Sequence, residues 1–178
     1  MKTSTMPEVL GVAFNSGQKV TFSEWIEITQ KQIDSFAEAS GDHQWIHCES
    51  HAASVGRFGG PIAHGLLLLS ISLKLARESR TLQPDSRTWV VYGYDKLRFR
   101  APVRVGKRIR CHTVLLNVRE LGCLELLTVR FKIEIESQKV PALVGECYFL
   151  CMDDRQDARE LPNGSRTTLA LTDYPPIP

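Results

Sequence analysis

An acid and an imidazole stand five positions apart in the segment Asp42-His43-Gln44-Trp45-Ile46-His47, and a second imidazole, His64, opens an apolar run seventeen positions later. A carboxylate and an imidazole that share one water can split the roles of base and acid in adding that water across a polarised double bond. General acid–base assistance of this kind contributes about 10²–10⁴-fold in rate. The pair His64-Gly65 falls where a helix is expected to begin, with unpaired amides and the positive end of the helix dipole. Gly65 has no side chain, so a substrate carbonyl could approach its N–H closely. One such donor to a developing oxyanion is worth roughly 3 kcal/mol. Plainer readings exist for the same residues: Asp42 after Gly41 could cap a turn, and His47 could be a satisfied buried histidine. His43, His47 and His51 at i, i+4 and i+8, with Cys48 nearby, invite a metal reading. That reading requires continuous helix across Gly41-Asp42 and leaves the ligand set ill-defined, so no metal is assigned. There is no G-x-S-x-G elbow, and Ser70 and Ser72 suit back-bonding within a helix better than nucleophilic attack.

These residues need a scaffold, and the chain spells one. The stretch from His64 to about Ser79 predicts a helix apolar on nearly every face through Leu66, Leu67, Leu68, Leu69, Ile71, Leu73 and Leu75. Such a helix must be wrapped by other protein or by lipid, and it is too short and too interrupted by Ser70, Ser72 and Lys74 to span a bilayer. Before it, Thr21–Ile28 predicts a strand anchored by Phe22 and Trp25. Thr29-Gln30-Lys31-Gln32 is a capping box for a helix from Gln30 to about Ser40, with Gly41 at its end. Residues 42–61 read as loop with one helical turn through His51–Ser54. After the apolar helix the period changes to two: strands are expected over Trp89–Arg100, Arg108–Glu120, Leu124–Glu136 and Pro141–Met152. In the third, Val129, Phe131, Ile133 and Ile135 oppose Arg130, Lys132, Glu134 and Glu136, the signature of an antiparallel strand wet on one face. Residues 1–19 are expected to form a loosely packed arm or short strand.

The reading is therefore α+β: an antiparallel sheet wrapped around one long buried helix, as a single domain over residues 1–152, with a polar, Pro-rich tail over 153–178. The exposed sheet edge predicts a homodimer. In 178 residues the net charge of +2 gives no argument for a nucleic-acid or membrane partner. Five cysteines form no C-x-x-C pair and no signal-peptide pattern is present, so reduced thiols and a cytoplasmic location are expected. The basic run Lys96, Arg98, Arg100, Arg104, Lys107, Arg108, Arg110 reads as a solvated strand face, with phosphates of a carrier such as coenzyme A as the other reading.

The segments FAEASGDHQWIH and FGGPIAHGLLLLS together resemble the MaoC-like dehydratases and (R)-specific enoyl-CoA hydratases, whose pattern is S-G-D-x-x-x-x-H, a short spacer, then P-I-x-H-G. The QWIH variant and the later YGYDKLRFRAPVRVGKRIR look closest to the nodulation protein N-like branch. The resemblance covers about Ile28 to Met152 and implies the hot-dog fold and hydration of trans-2-enoyl thioesters, or the reverse dehydration. It implies Asp42 and His47 as the water-activating pair, Gly65 as the amide that polarises the thioester carbonyl, and His64 as a motif histidine with a more structural part. Gln44, Trp45 and His64 are expected at the substrate. Where many hydratases carry Asn-Pro, this chain has Gln44-Trp45, and Trp45 is expected to narrow the acyl pocket. Coenzyme A enters only as part of an acyl-CoA substrate, with acyl carrier protein thioesters as the alternative, and no cofactor is expected. A thioesterase on the same scaffold and a non-catalytic acyl-binding subunit are the rival functions. The first would need a carboxylate on the buried helix, which Leu66–Ser72 does not offer.

Overall fold

Alternation along Leu124–Ile135 puts Leu127, Val129, Phe131, Ile133 and Ile135 on one face, and all five are buried in one core. This strand lies at the centre of the sheet. The structure, a computed structural model, describes residues 19–79, 87–121 and 124–153. The elements are β1 (Thr21–Phe22), β2 (Ile26–Glu27), α1 (Gln30–Ser40), α2 (Trp45–Cys48), α3 (Ser50–Val55), α4 (Gly65–Glu78), β3 (Arg87–Phe99), β4 (Arg108–Leu121), β5 (Leu124–Ile135) and β6 (Leu143–Asp153). The sheet is antiparallel, in the order β1-β4-β5-β6-β3, with β2 also pairing β4. The expected arm, the turn at 83–86, Gly122 and the tail beyond Asp153 lie outside the described residues.

The four long strands and both long helices match the sequence pattern closely. For α1 the physical reason is visible: Thr29 Oγ1 accepts from the Gln32 N–H at 3.3 Å, and Gln32 Oε1 accepts from the Thr29 N–H at 2.9 Å. Gly41 ends the helix at φ 75°, a left-handed conformation that favours glycine. Three expectations need correction. Thr21–Ile28 is not one strand but two short pieces on β4. Phe22 is 43% exposed rather than a core anchor, and both it and Trp25 lie against the Arg110 guanidinium, 5.2 and 4.6 Å from their ring centroids. The buried anchor of that stretch is Ile28. Residues 42–61 hold two short helices instead of one turn. Finally, α4 is enclosed on one face only: Leu67, Leu68, Ser72, Leu75 and Ala76 are buried, whereas Leu66 is 60% exposed. Burying Leu67, Leu68 and Leu75 stabilises the fold by about 1.5–3 kcal/mol each. Ser70 and Ser72 bond back to the carbonyls of Leu66 and Leu69, at 3.0 and 2.6 Å, which satisfies their hydroxyls inside the helix.

Three members of the basic run are paired across the sheet: Arg108 with Glu136, Arg110 with Glu134, and Lys96 with Glu146. Cys48, Cys111, Cys147 and Cys151 are reduced, and all but Cys48 are buried. No helix among the described residues is long and apolar enough to cross a membrane.

Candidate active site

The loop that enters α4 is fixed by backbone pairing. Ala63 N–H donates to Val103 O at 2.8 Å, Val105 N–H donates to Pro61 O at 3.0 Å, and Ile62 bridges Arg104. This short ladder aims the chain at His64, the N-cap of α4, and leaves the Gly65 amide at the first helical position, which has no acceptor within the helix.

The peptide groups of Ile62 do the next job. Ile62 N–H donates to Ile46 O at 3.0 Å and Ile62 O accepts from His47 Nδ1 at 2.7 Å. Since the carbonyl can only accept, Nδ1 carries a proton, so in the neutral tautomer Nε2 presents the lone pair. His47 is the buried residue of α2. His64, 3% exposed, stacks on it with ring centroids 3.7 Å apart and donates from Nε2 to the main-chain carbonyl of Asp42 at 2.9 Å. Phe36 of α1 leans on the His64 ring from 5.0 Å. His64 thus ties the Asp42 backbone to the His47 ring.

Asp42 is half-buried. Gln44 Nε2 donates to its Oδ1 at 3.0 Å. That hydrogen bond, first among the causes, holds the Asp42 carboxyl below its ordinary pKa. Partial desolvation opposes it, and the Gln44 amide and the nearby His47 and His64 reinforce it. One donor atom from each of Asp42, His47 and His64 lies within 4.8 Å of the others. The structure therefore brings together the sequence-predicted acid and imidazole, adds His64, and sets all three where α4 begins. These three are also the residues among those described that could hold a metal ion. The i, i+4, i+8 set is not assembled: α2 and α3 are separate helices, and His43 is exposed beside Glu38 at 3.9 Å.

Two aromatic rings flank these segments. The Trp45 ring rests on Gly56, where an added Cβ would meet its Cη2 and Cζ3 at 3.0 Å, so it fastens α2 to the end of α3. The aromatic at the candidate oxyanion amide is instead Phe99, from the end of β3, whose ring lies over Gly65. Sequence reading placed Phe99 in the alternating strand pattern and could not see where that strand ends in space. It also missed Gln30, which donates from α1 to the His47 carbonyl at 2.9 Å.

Residues 13–135 match the MaoC like domain. The chain belongs to that family. It is 39% identical over 143 residues to 3-hydroxyacyl-thioester dehydratase Z of Mycobacterium tuberculosis, covering 80% of this chain and 94% of that protein. It is 36% identical over 143 residues to Nodulation protein N of Rhizobium leguminosarum bv. viciae, covering 79% and 89%. Among solved structures, the R-hydratase PhaJ1 from Pseudomonas aeruginosa superposes with a TM-score of 0.62 at 20% identity, over 77% of this chain and 82% of that one. The (R)-hydratase from A. caviae does so at 0.61 and 23%, over 74% and 93%. At these identities the structural likeness shows the fold, and the fold is the hot-dog arrangement of the MaoC-like proteins.

Proposed function

We propose that this protein adds water to trans-2-enoyl thioesters to give 3-hydroxyacyl thioesters, and catalyses the reverse dehydration. The observation that carries the reading is the convergence of Asp42, His47 and His64 at the start of α4, beside the Gly65 amide. The ionised Asp42 carboxylate and the unprotonated Nε2 of His47 are both acceptors. A water between them points its two protons at them and its lone pair outward, toward C3 of a bound enoyl group. As the C3–O bond forms, one water proton passes to this pair and the double-bond electrons move to C2 and the thioester oxygen. The Gly65 amide stabilises that oxygen, and the C2–H bond then forms with the proton held by the pair. Asp42 is the base on water, and His47 holds the water and shuttles the proton. Atoms and electrons balance without any redox partner, so the substrate is the acyl thioester alone, with coenzyme A or an acyl carrier protein as its thiol.

The naming of similar proteins as a 3-hydroxyacyl-thioester dehydratase and a 3-hydroxybutyryl-CoA dehydratase supports the reaction class. The thioesterase alternative lacks a carboxylate anywhere in Leu66–Ser72, the first half of α4. We take the active form to be a homodimer. The 13-residue β3 lies at the sheet edge with Val90 and Val91 exposed, and a second copy would pair that edge. Free thiols suit a reducing compartment, which supports a cytoplasmic location. The deciding experiment follows loss of enoyl absorbance on crotonyl-CoA and longer enoyl-CoAs, with Asp42→Ala in parallel. Turnover in the wild type that falls by orders of magnitude in the variant is expected; equal rates in both would remove the mechanism.

A further inference from the structure

Resting on that functional reading, we propose that Gln30, at the first position of α1 and outside the two motifs that form the site, is a positioning residue for His47. The side-chain amide of Gln30 donates both its protons, one to His47 O at 2.9 Å and one to Asp34 Oδ1 at 2.8 Å. Both partners are obligate acceptors, so the amide can face them only with its nitrogen, and its orientation is fixed by chemistry.

The bond matters because of where His47 sits. Its helix, α2, is four residues long and has no side-chain cap at its start. A helix this short satisfies almost none of its own carbonyls. Two ties come from the Ile62 peptide groups, which hold Ile46 O and the His47 ring. Those are main-chain groups, and they fix the ring on one side only. The third tie is Gln30, which grips the main chain of His47 from the opposite element, 17 residues away in sequence. Among the described residues it is the one side chain outside the 42–64 segment that hydrogen-bonds His47. Its own helix is firmly seated: the Thr29–Gln32 capping box fixes the turn on which Gln30 stands, and Ile33 and Ala37 are buried beneath it. Rigidity in α1 is therefore passed to the His47 main chain through this amide, beside the packing of Phe36 on His64 and of His64 on the imidazole. Without it, α2 keeps the Ile62 bonds and the packing of Trp45 and His64 but loses the side-chain hydrogen bond on the His47 main chain, so α2 can tilt and the His47 Nε2 moves relative to Asp42.

The test compares Gln30→Met, which keeps length and removes the donor, Gln30→Glu, which places a carboxylate against a carbonyl, and Gln30→Lys, which restores a donor of similar reach. On crotonyl-CoA, kcat should fall roughly 10- to 100-fold in the Met and Glu variants, since a displacement near 1 Å costs on the order of 100-fold. KM should stay within about twofold and kcat should recover in the Lys variant. Equal kcat in all four proteins overturns the inference, as does a loss that tracks only the thermal midpoint and is not rescued by Lys. Should Gln30→Met fail to fold, Asp34→Ala, which frees the amide to rotate, carries the same expectation with a smaller loss. If the wild type does not hydrate crotonyl-CoA, the functional reading falls separately. The inference is then read from the ¹⁵N signals of the His47 ring: one sharp set in the wild type that broadens in Gln30→Met supports it, and unchanged spectra overturn it.

Discussion

Gly65→Ala separates packing from catalysis at one position. A Cβ built on Gly65 would lie 3.0 Å from Phe99 Cε1 and 3.1 Å from Cδ1. Carbon pairs prefer about 3.5–4.0 Å, so the ring must retreat by roughly half an ångström to one ångström. Phe99 is 50% exposed and free to do so, which keeps the strain at or below the ~1 kcal/mol foot of the overpacking range. Against that stands the helix preference of alanine over glycine, up to about 1 kcal/mol. The two nearly cancel, so the thermal midpoint should stay within a few degrees of wild type. Catalysis should not be spared. The methyl group stands beside the amide that receives the thioester oxygen, and loss of one such donor costs roughly 10²–10³-fold in kcat.

The measurement is kcat and KM on crotonyl-CoA together with a thermal scan, for Gly65→Ala and for the double variant with Phe99→Ala. The expected pattern is a stable single variant, slow by two orders of magnitude or more, whose rate the second substitution does not restore. Wild-type kcat in Gly65→Ala would refute the oxyanion role. Recovery in the double variant would show that glycine is needed only to seat the Phe99 ring.

Asp42→Asn and His47→Ala should each lower kcat by about 10²–10⁴-fold with circular dichroism near wild type. The thermal midpoint should hold in Asp42→Asn and drop in His47→Ala, which removes a buried, stacked ring and leaves the Ile62 carbonyl without its donor; retention of rate in either refutes the shared-water mechanism. Gln44→Ala should move the acid limb of the kcat/KM profile to higher pH: the Gln44 bond is the leading cause that lowers the Asp42 pKa, ionised Asp42 persists above that pKa, and activity is lost as pH falls through it. An unmoved limb would detach Asp42 from the rate. Burial works to raise the Glu146 pKa, but hydrogen bonds and charge from Arg130 and Lys96 overcome it and hold it below 4.5. Glu146→Gln should therefore cost about 2 kcal/mol in denaturant titration at pH 7, and the gap from wild type should close as pH falls through the lowered pKa; a pH-independent gap contradicts the ion pairing. Val90→Lys with Val91→Lys should convert the proposed dimer to monomer in sedimentation, and an unchanged mass would refute pairing through that edge.

Sequence period carries the scaffold well where one period dominates. Alternation in β5 and the Thr29–Gly41 caps of α1 specify those elements because local chemistry and tertiary burial agree. At Thr21–Ile28 they do not. Ser23 turns inward to accept from the Cys111 N–H at 2.9 Å, which interrupts the strand, while Phe22 and Trp25 are drawn outward onto Arg110. No pattern rule anticipates an aromatic that prefers a guanidinium to the core. The apolar residues on nearly every face of α4 likewise read as complete enclosure, because hydropathy cannot say whether a single chain supplies the cover.

The site was legible as two motifs but not as a mechanism. Asp42 and His47 could be named because acid and imidazole are chemically conspicuous; their supports could not, since these are main-chain groups and amides. The main chain of one residue supports both groups: Ile62 orders the His47 tautomer with its carbonyl and holds α2 with its N–H, while its neighbours pair with Val103 and Val105 to place Gly65. Any residue can supply a carbonyl, so nothing in the identity of Ile62 announces this part. The same coupling makes a demand on the mechanism. Base and oxyanion donor depend on the same three-residue ladder, His47 through Ile62 at its centre and Gly65 two residues past Ala63 at its end, so a change that loosens the ladder, such as Val103→Gly, should weaken both at once, lowering kcat more than either support alone. If it slowed the reaction no more than Gln30→Met, the base and the amide would be independently anchored, and the rigid link inferred from the Pro61–Ala63 pairing would be wrong.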